Sequence, residues 1–280
     1  MASRKEQKEQ ARAARLAAEQ NAATSAARTR RLQLIGGAVV IAVAIVVVLI
    51  AISAGNNSPA PTKFDSKAAL TADKYVDQLL AGIPESGNTL GKPSAPVTVT
   101  FFGDLECSAC DIFATPPSFR NPEGETGTGI EEQLINQDVR NGTVKLVYRS
   151  VETASGDNPD PNAFNEQQVA AEAAGLQDKE WYYIELWYDE QGAEGSDYVT
   201  SSFIDGMAKQ VPELNYAQWL AALSDSKLLS QVNADGSAAL AAGATATPTL
   251  DIQGPDGEKA LPSGVPSSFS EVQSAINSVN

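Results

Sequence analysis

Phe101-Phe102-Gly103-Asp104-Leu105-Glu106-Cys107-Ser108-Ala109-Cys110 is the stretch on which the fold turns. Its first two residues end an apolar run, Val97-Thr98-Val99-Thr100-Phe101-Phe102, that reads as a strand. Its last four hold the chain's only cysteines, spaced C-x-x-C. A C-x-x-C that follows a strand and opens a helix is the layout of a thiol–disulfide redox centre. Thiols at this spacing can close a disulfide with little backbone motion and pass it on by exchange. The other meaning is a structural staple. A staple gains by closing a long loop in the unfolded chain, and two intervening residues close almost none. The spacing therefore favours catalysis.

The chain has 280 residues and no histidine. That excludes Ser-His-Asp and Cys-His nucleophile systems and every His-ligated metal site. Two cysteines cannot complete a four-thiolate zinc site within one chain. Any chemistry then sits on thiols, carboxylates, lysines or hydroxyls. There is no Gly-rich phosphate loop and no internal repeat, and Lys145, Arg149 and Lys179 form no phosphate-binding cluster.

Leu34 to Ile52, LIGGAVVIAVAIVVVLIAI, holds 19 residues without a charge. At about 1.5 Å rise per residue it spans roughly 28 Å, close to the hydrocarbon thickness of a bilayer. A buried core helix is the other reading; Val and Ile on every face, with no polar stripe, argue against it for a domain of this size. A cleaved signal peptide would have a shorter apolar core and a shorter polar segment before it. The segment is expected to be a transmembrane anchor.

Residues 1–33 carry eight Lys/Arg against three Glu, so the net charge of −15 divides into +5 before the span and −20 after it. The positive-inside rule puts the basic arm in the cytoplasm and the acidic remainder outside the cell membrane. An acidic domain is a poor partner for nucleic acid. The basic arm reads as a solvated helix near anionic lipid rather than an RNA binder. Outside the membrane a cysteine pair can be oxidised and stay so.

Along the chain, residues 53–63 (SAGNNSPAPTK) read as a tether and 64–280 as the external domain. Helices are expected at 66–81, 130–140, 163–175, 180–191, 198–210, 216–229, 232–242 and 268–279. Strands are expected at 97–102, 143–149 and 249–253, with a short one near 259–261. Residues 87–93 read as a turn-rich approach, and a short helix starting near Cys107 is broken by Pro116-Pro117. Strand–helix regions thus flank a block of helices, which is an α/β layout with a helical insertion.

The run Phe101 to Cys110 resembles the F-x-D-x-x-C-x-x-C lead-in of DsbA-like thioredoxin-fold proteins. Gly243-Ala244-Thr245-Ala246-Thr247-Pro248-Thr249-Leu250 resembles their G-x-x-x-T-P-T loop. The helical block between them, about 160–242, fits that family's insertion. The resemblance covers about residues 90–280 and is greatest to membrane-anchored bacterial thiol:disulfide oxidoreductases. It implies a thioredoxin fold with a helical insertion, preceded here by one N-terminal transmembrane helix. It also implies that Cys107 is the exposed nucleophile and Cys110 the buried resolving thiol. Pro248 would be cis and face the pair, with Thr247 presenting backbone groups to an extended substrate. A helix N-terminus favours a thiolate at Cys107. Without the cysteines, Thr247-Pro248 reads equally well as an ordinary proline at a strand start.

The chain also departs from that family. Ser108 and Ala109 stand between the cysteines where Pro, Gly or His is common, so no imidazole supports the thiolate. Many relatives carry an acid six positions before the first cysteine; here that residue is Phe101. Asp104 and Glu106 are candidate tuning residues that could replace it, or merely solvated loop charges. Negative neighbours oppose a further anion.

The activity implied is dithiol–disulfide exchange with exported proteins. It needs no dissociable cofactor and no metal. It does need a membrane redox partner that resets the pair, and residues 34–52 hold the protein in the bilayer. Oxidation, isomerisation and reduction share these residues and differ in potential. The alternative is a non-enzymatic, membrane-anchored module that keeps the fold and holds clients on an apolar shelf of Trp181, Tyr182, Tyr183, Trp187 and Tyr188. The plainer reading of those five is core packing. A copper-delivery relative is disfavoured by the missing histidine and by the lack of methionines near the pair.

Overall fold

Val97, Val99 and Phe101 are buried while Thr98 and Thr100 are half-buried, the alternation of a strand with one face on a core. A computed structural model describes residues 67–280. The basic arm, the apolar segment 34–52 and the tether 53–63 lie outside the described residues. Within the described residues no helix is long and apolar enough to cross a membrane.

The chain runs α1 (Lys67–Leu80), β1 (Glu85–Ser86), β2 (Thr89–Leu90), β3 (Val97–Gly103), α2 (Ser108–Ala114) and α3 (Ile130–Leu134). After β4 (Val144–Ser150) come a short 3-10 helix, Ala154–Asp157, and five α-helices: α4 (Ala163–Gly175), α5 (Glu180–Glu190), α6 (Ser201–Gln210), α7 (Tyr216–Ala222) and α8 (Ser226–Ala242). It closes with β5 (Thr249–Gly254), β6 (Gly257–Ala260) and α9 (Phe269–Val279). The six strands form one sheet in the order β1-β2-β4-β3-β5-β6. Only β3 and β4 are parallel, and the connection between them carries α2 and α3.

Parallel register sets Val97 beside Val144, Val99 beside Leu146 and Phe101 beside Tyr148, so the buried side chains of both strands share one face. Phe102 points the other way, into a small cluster with Ala239 and Ala244. Arg149 and Asp235 tie β4 to α8 across 2.7 Å. The antiparallel register of β3 with β5 pairs Phe102 with Thr249. That pairing brings the Thr247-Pro248 loop to the end of β3, beside the segment that leads to Cys107.

Two local expectations are corrected and two are refined. The stretch expected as one helix over 216–229 is broken, because Asp225 accepts the Lys227 N–H at 2.9 Å and starts α8 afresh. The helix expected from Tyr198 begins at Ser201, where Thr200 caps it through the Phe203 N–H. Ile135–Val139 continues α3 as a π-helix, and Arg140 beyond it donates to the Leu79 and Ala81 carbonyls at the end of α1. The turn-rich approach contains the β1–β2 hairpin, closed around Gly87-Asn88.

Candidate active site

Cys107 caps the amino end of α2, its own backbone extended. The N–H groups of Cys110 and Asp111 donate to its carbonyl at 3.0 and 3.1 Å, which starts the helix. Its thiol lies 3.5 Å from the Thr247 carbonyl, and the Thr247–Pro248 peptide is cis. Cys110, one turn inward, is fully buried, and both cysteines are free thiols. Cys107 is 7 % exposed. It is thus less open than expected, because its sulfur leans on the Pro248 loop.

The two thiols differ in acidity. Cys107 is held below the usual thiol range, chiefly by a hydrogen bond from Cys110 and against the cost of burial. The Thr247 side chain also lowers it, and the charge of Asp104 opposes. Cys110 is pushed well up, first by burial and then by its partner sulfur. The pair is therefore built to place negative charge on the outer sulfur.

Asp104 and Glu106 are not solvated loop charges: both are fully buried. The Asp104 carboxylate accepts from the N–H groups of Glu106, Thr153 and Ser155 at 3.0, 2.8 and 3.0 Å, and from both hydroxyls of Thr153 and Ser155. Thr153 Oγ1 is in turn 2.6 Å from Thr247 Oγ1. Asp104 thus ties the segment before Cys107 to the loop after β4 and, through Thr153, to the Pro248 loop. Glu106 accepts from Asn158 at 2.6 Å and Gln167 at 3.2 Å. Burial raises its pKa, and the bond from Asn158 counteracts.

Phe101 packs edge-on against Tyr148 and Phe113, at 5.5 and 5.1 Å between ring centres. The phenol-bearing rings of Tyr148 and Tyr188 both lie against Phe101. Burial drives both far up, and negative charge on Cys110 adds to that shift in each. Tyr188 donates to the Asp104 carbonyl at 3.3 Å and Tyr148 to Gln168 at 3.4 Å.

The helical insertion grips the approach to the cysteines. Gln191 and Tyr198 donate to the Leu105 carbonyl at 2.5 and 3.4 Å. The Ser108 N–H and hydroxyl both donate to Glu194 Oε2, at 2.8 and 2.7 Å. Ala109 packs on the core edge. Asp111 is buried, with Oδ2 unpartnered, and its pKa is pushed up to about 7, mainly by burial. The five aromatics considered as a client shelf are buried and form core packing.

Tyr148, Tyr188, Thr153 and Glu194 were not legible as site residues. Tyr148 has the signature of a buried strand position, and Tyr188 belongs to the aromatic cluster. Glu194 sits in a loop with no motif at all.

A C-x-x-C at a helix tip, set after a sheet strand and beside a cis-proline loop, defines the thioredoxin class of fold and site. Residues 85–277 match the family model described as Thioredoxin, and the chain belongs to this thioredoxin family. Among solved structures it is similar to oxidised BdbD from Bacillus subtilis, at 21 % identity and a TM-score of 0.53, over 69 % of this chain and 94 % of that one. It also matches Pseudomonas aeruginosa DsbA2, at 20 % identity and a TM-score of 0.45, over 70 % of this chain and 95 % of that one. The thiol-disulfide exchange protein alpha-DsbA2 from Wolbachia pipientis matches at 18 % identity and a TM-score of 0.48, over 75 % and 96 % of the two chains. The likeness to BdbD shows a shared fold. No curated protein matches this sequence.

Proposed function

We propose that the protein is a membrane-anchored thiol:disulfide oxidoreductase acting on exported or cell-envelope proteins through Cys107 and Cys110. The observation that carries this reading is the inequality of the two thiols. Cys107 stands at a helix tip with a lowered pKa, 3.5 Å from the Thr247 carbonyl, and Cys110 is sealed beneath it with a raised one.

In the oxidising direction a client thiolate attacks Cys107 Sγ of the paired disulfide. The Cys107–Cys110 bond breaks, its electron pair goes to Cys110, and Cys110 takes up a proton. A second client thiolate then attacks the client sulfur of the mixed disulfide and expels Cys107 as a thiolate. The client has lost two electrons and the pair has gained them. Reduction of a client is the same sequence reversed, so either direction runs on this site. A membrane redox partner returns the pair to its starting state. The anchor is residues 34–52, with the basic arm in the cytoplasm; the charge division of +5 against −20 supports that orientation.

The test is capture. Cys110→Ser should accumulate mixed disulfides between Cys107 and client proteins, and Cys107→Ser should accumulate few. Equal capture by both variants, or by neither, would overturn the assignment.

A further inference from the structure

We propose that Glu194 is a positioning residue that holds the redox pair at a less oxidising potential by occupying the Ser108 amide with a carboxylate. The inference rests on the oxidoreductase reading and concerns how the same pair is regulated.

The first N–H groups of a helix have no acceptor within it. At a helix tip that bears a cysteine, such groups and the positive end of the helix stabilise the thiolate. The Ser108 N–H is the one that follows Cys107 directly. Here it is not free: Glu194 Oε2 accepts it at 2.8 Å and accepts the Ser108 hydroxyl at 2.7 Å. The carboxylate arrives from the loop between α5 and α6, far from the cysteines in sequence. Its own N–H donates to Glu123 Oε1 at 3.0 Å, so a third segment fixes the contact.

Two consequences follow for Cys107. It loses a donor that a helix tip would supply, and it gains a negative neighbour. Other negative groups already act near it: Asp104 opposes its thiolate directly. Asp111 is raised in part by Glu123, by Cys107 and by Glu125. A carboxylate at Ser108 adds to this opposition. A thiolate stabilised less means a reduced form favoured less, and hence a less oxidising pair. A purely structural cap would stabilise α2 and leave the sulfur's acidity alone.

The experiment uses the protein with Glu194→Gln and Glu194→Ala. The Cys107 pKa is measured in a Cys110→Ser background from the pH dependence of alkylation, so one thiol reports. The two-cysteine forms are equilibrated with glutathione. Glu194→Gln keeps an acceptor and removes the charge. It should lower the Cys107 pKa and shift the pair toward the reduced form by about threefold, an effect that shrinks with added salt. Glu194→Ala also frees the Ser108 N–H and should shift both readouts further, with a remainder that salt does not remove. No shift, or a rise in pKa in both variants, would overturn the role of Glu194. If both shifts occur but Cys110→Ser captures no client, the oxidoreductase reading fails and the role of Glu194 in setting the thiol's acidity stands.

Discussion

Gly103, the last residue of β3, is tightly constrained by the rings around it. A Cβ there would lie 2.8 Å from Tyr148 Cε2 and 2.9 Å from Tyr188 Oη. Both rings are buried and packed around Phe101, so neither has room to retreat. Gly103→Ala should destabilise the domain by about 1–3 kcal/mol, as overpacking does. Denaturant melts would measure it, and a midpoint equal to that of the unaltered protein would show that the rings can move. The same close approach explains why the site was only half legible from sequence. Cys107, Cys110, Thr247 and Pro248 announce themselves by spacing and residue type. The phenols of Tyr148 and Tyr188 do not, because Tyr148 looks like any inward strand residue until the sheet register is known. Asp104 and Glu106 were visible as charges, but their burial follows from donors at Thr153, Ser155, Asn158 and Gln167, which lie well beyond any local window.

At the scale of elements, legibility followed period and punctuation. β3, β4 and β5 alternate or carry β-branched residues, and they form close to where the pattern put them. The helix α4 occupies the expected 163–175. The failures came where apolar content continues through a cap. Tyr216 to Leu229 reads as one helix because leucine and alanine span the break at Ser224-Asp225. Asp225 decides otherwise, by accepting the Lys227 N–H at 2.9 Å and opening a 17-residue helix. Asp225→Ala should therefore cost about 1 kcal/mol, the usual worth of such a cap. Thermal unfolding would read it, and a change below a few tenths would mean that packing of α8 on β4, through Arg149 and Asp235, already fixes that helix start. The site depends on this placement: α8 ends at Gly243, whose φ of 73° turns the chain toward the Pro248 loop. What brings that loop to Cys107 is the pairing of β3 with β5, a long-range fact that no stretch of sequence contains.

The whole domain buries more acid than base. Asp111 is raised to about 7 and Glu131 to about 8. Glu85 is raised to about 8 and Glu172 to about 7. Glu180, Glu185 and Asp189 are raised well above the usual carboxylate range as well. Burial is the leading cause in every case, and neighbouring carboxylates add to it in all but Glu131. Arg149 relieves Glu172 in part and Lys179 relieves Glu85. Asp111, Glu131, Glu185 and Asp189 each keep at least one buried oxygen without a partner. The sign of the effect on stability is fixed by this direction. Each folded-state pKa lies above its unfolded value of about 4, so between about pH 4 and pH 8 the folded chain holds protons that the unfolded chain releases. Stability is then fully present below the unfolded values and is lost as pH rises through the folded ones. Glu271, lowered by its bonds from Ser267, runs the other way, but it is at the surface, where such a bond contributes little. The domain should therefore melt several degrees lower at pH 8.5 than at pH 5, since about 1 kcal/mol moves the midpoint by roughly 2–4 °C at this size. Reduced protein should be used, so that titration of the cysteines themselves can be separated by repeating the melts with both changed to serine. A melting temperature that is flat or rises over this range would mean that the buried carboxyls ionise in the folded state at no cost, and that water or bound cations reach them.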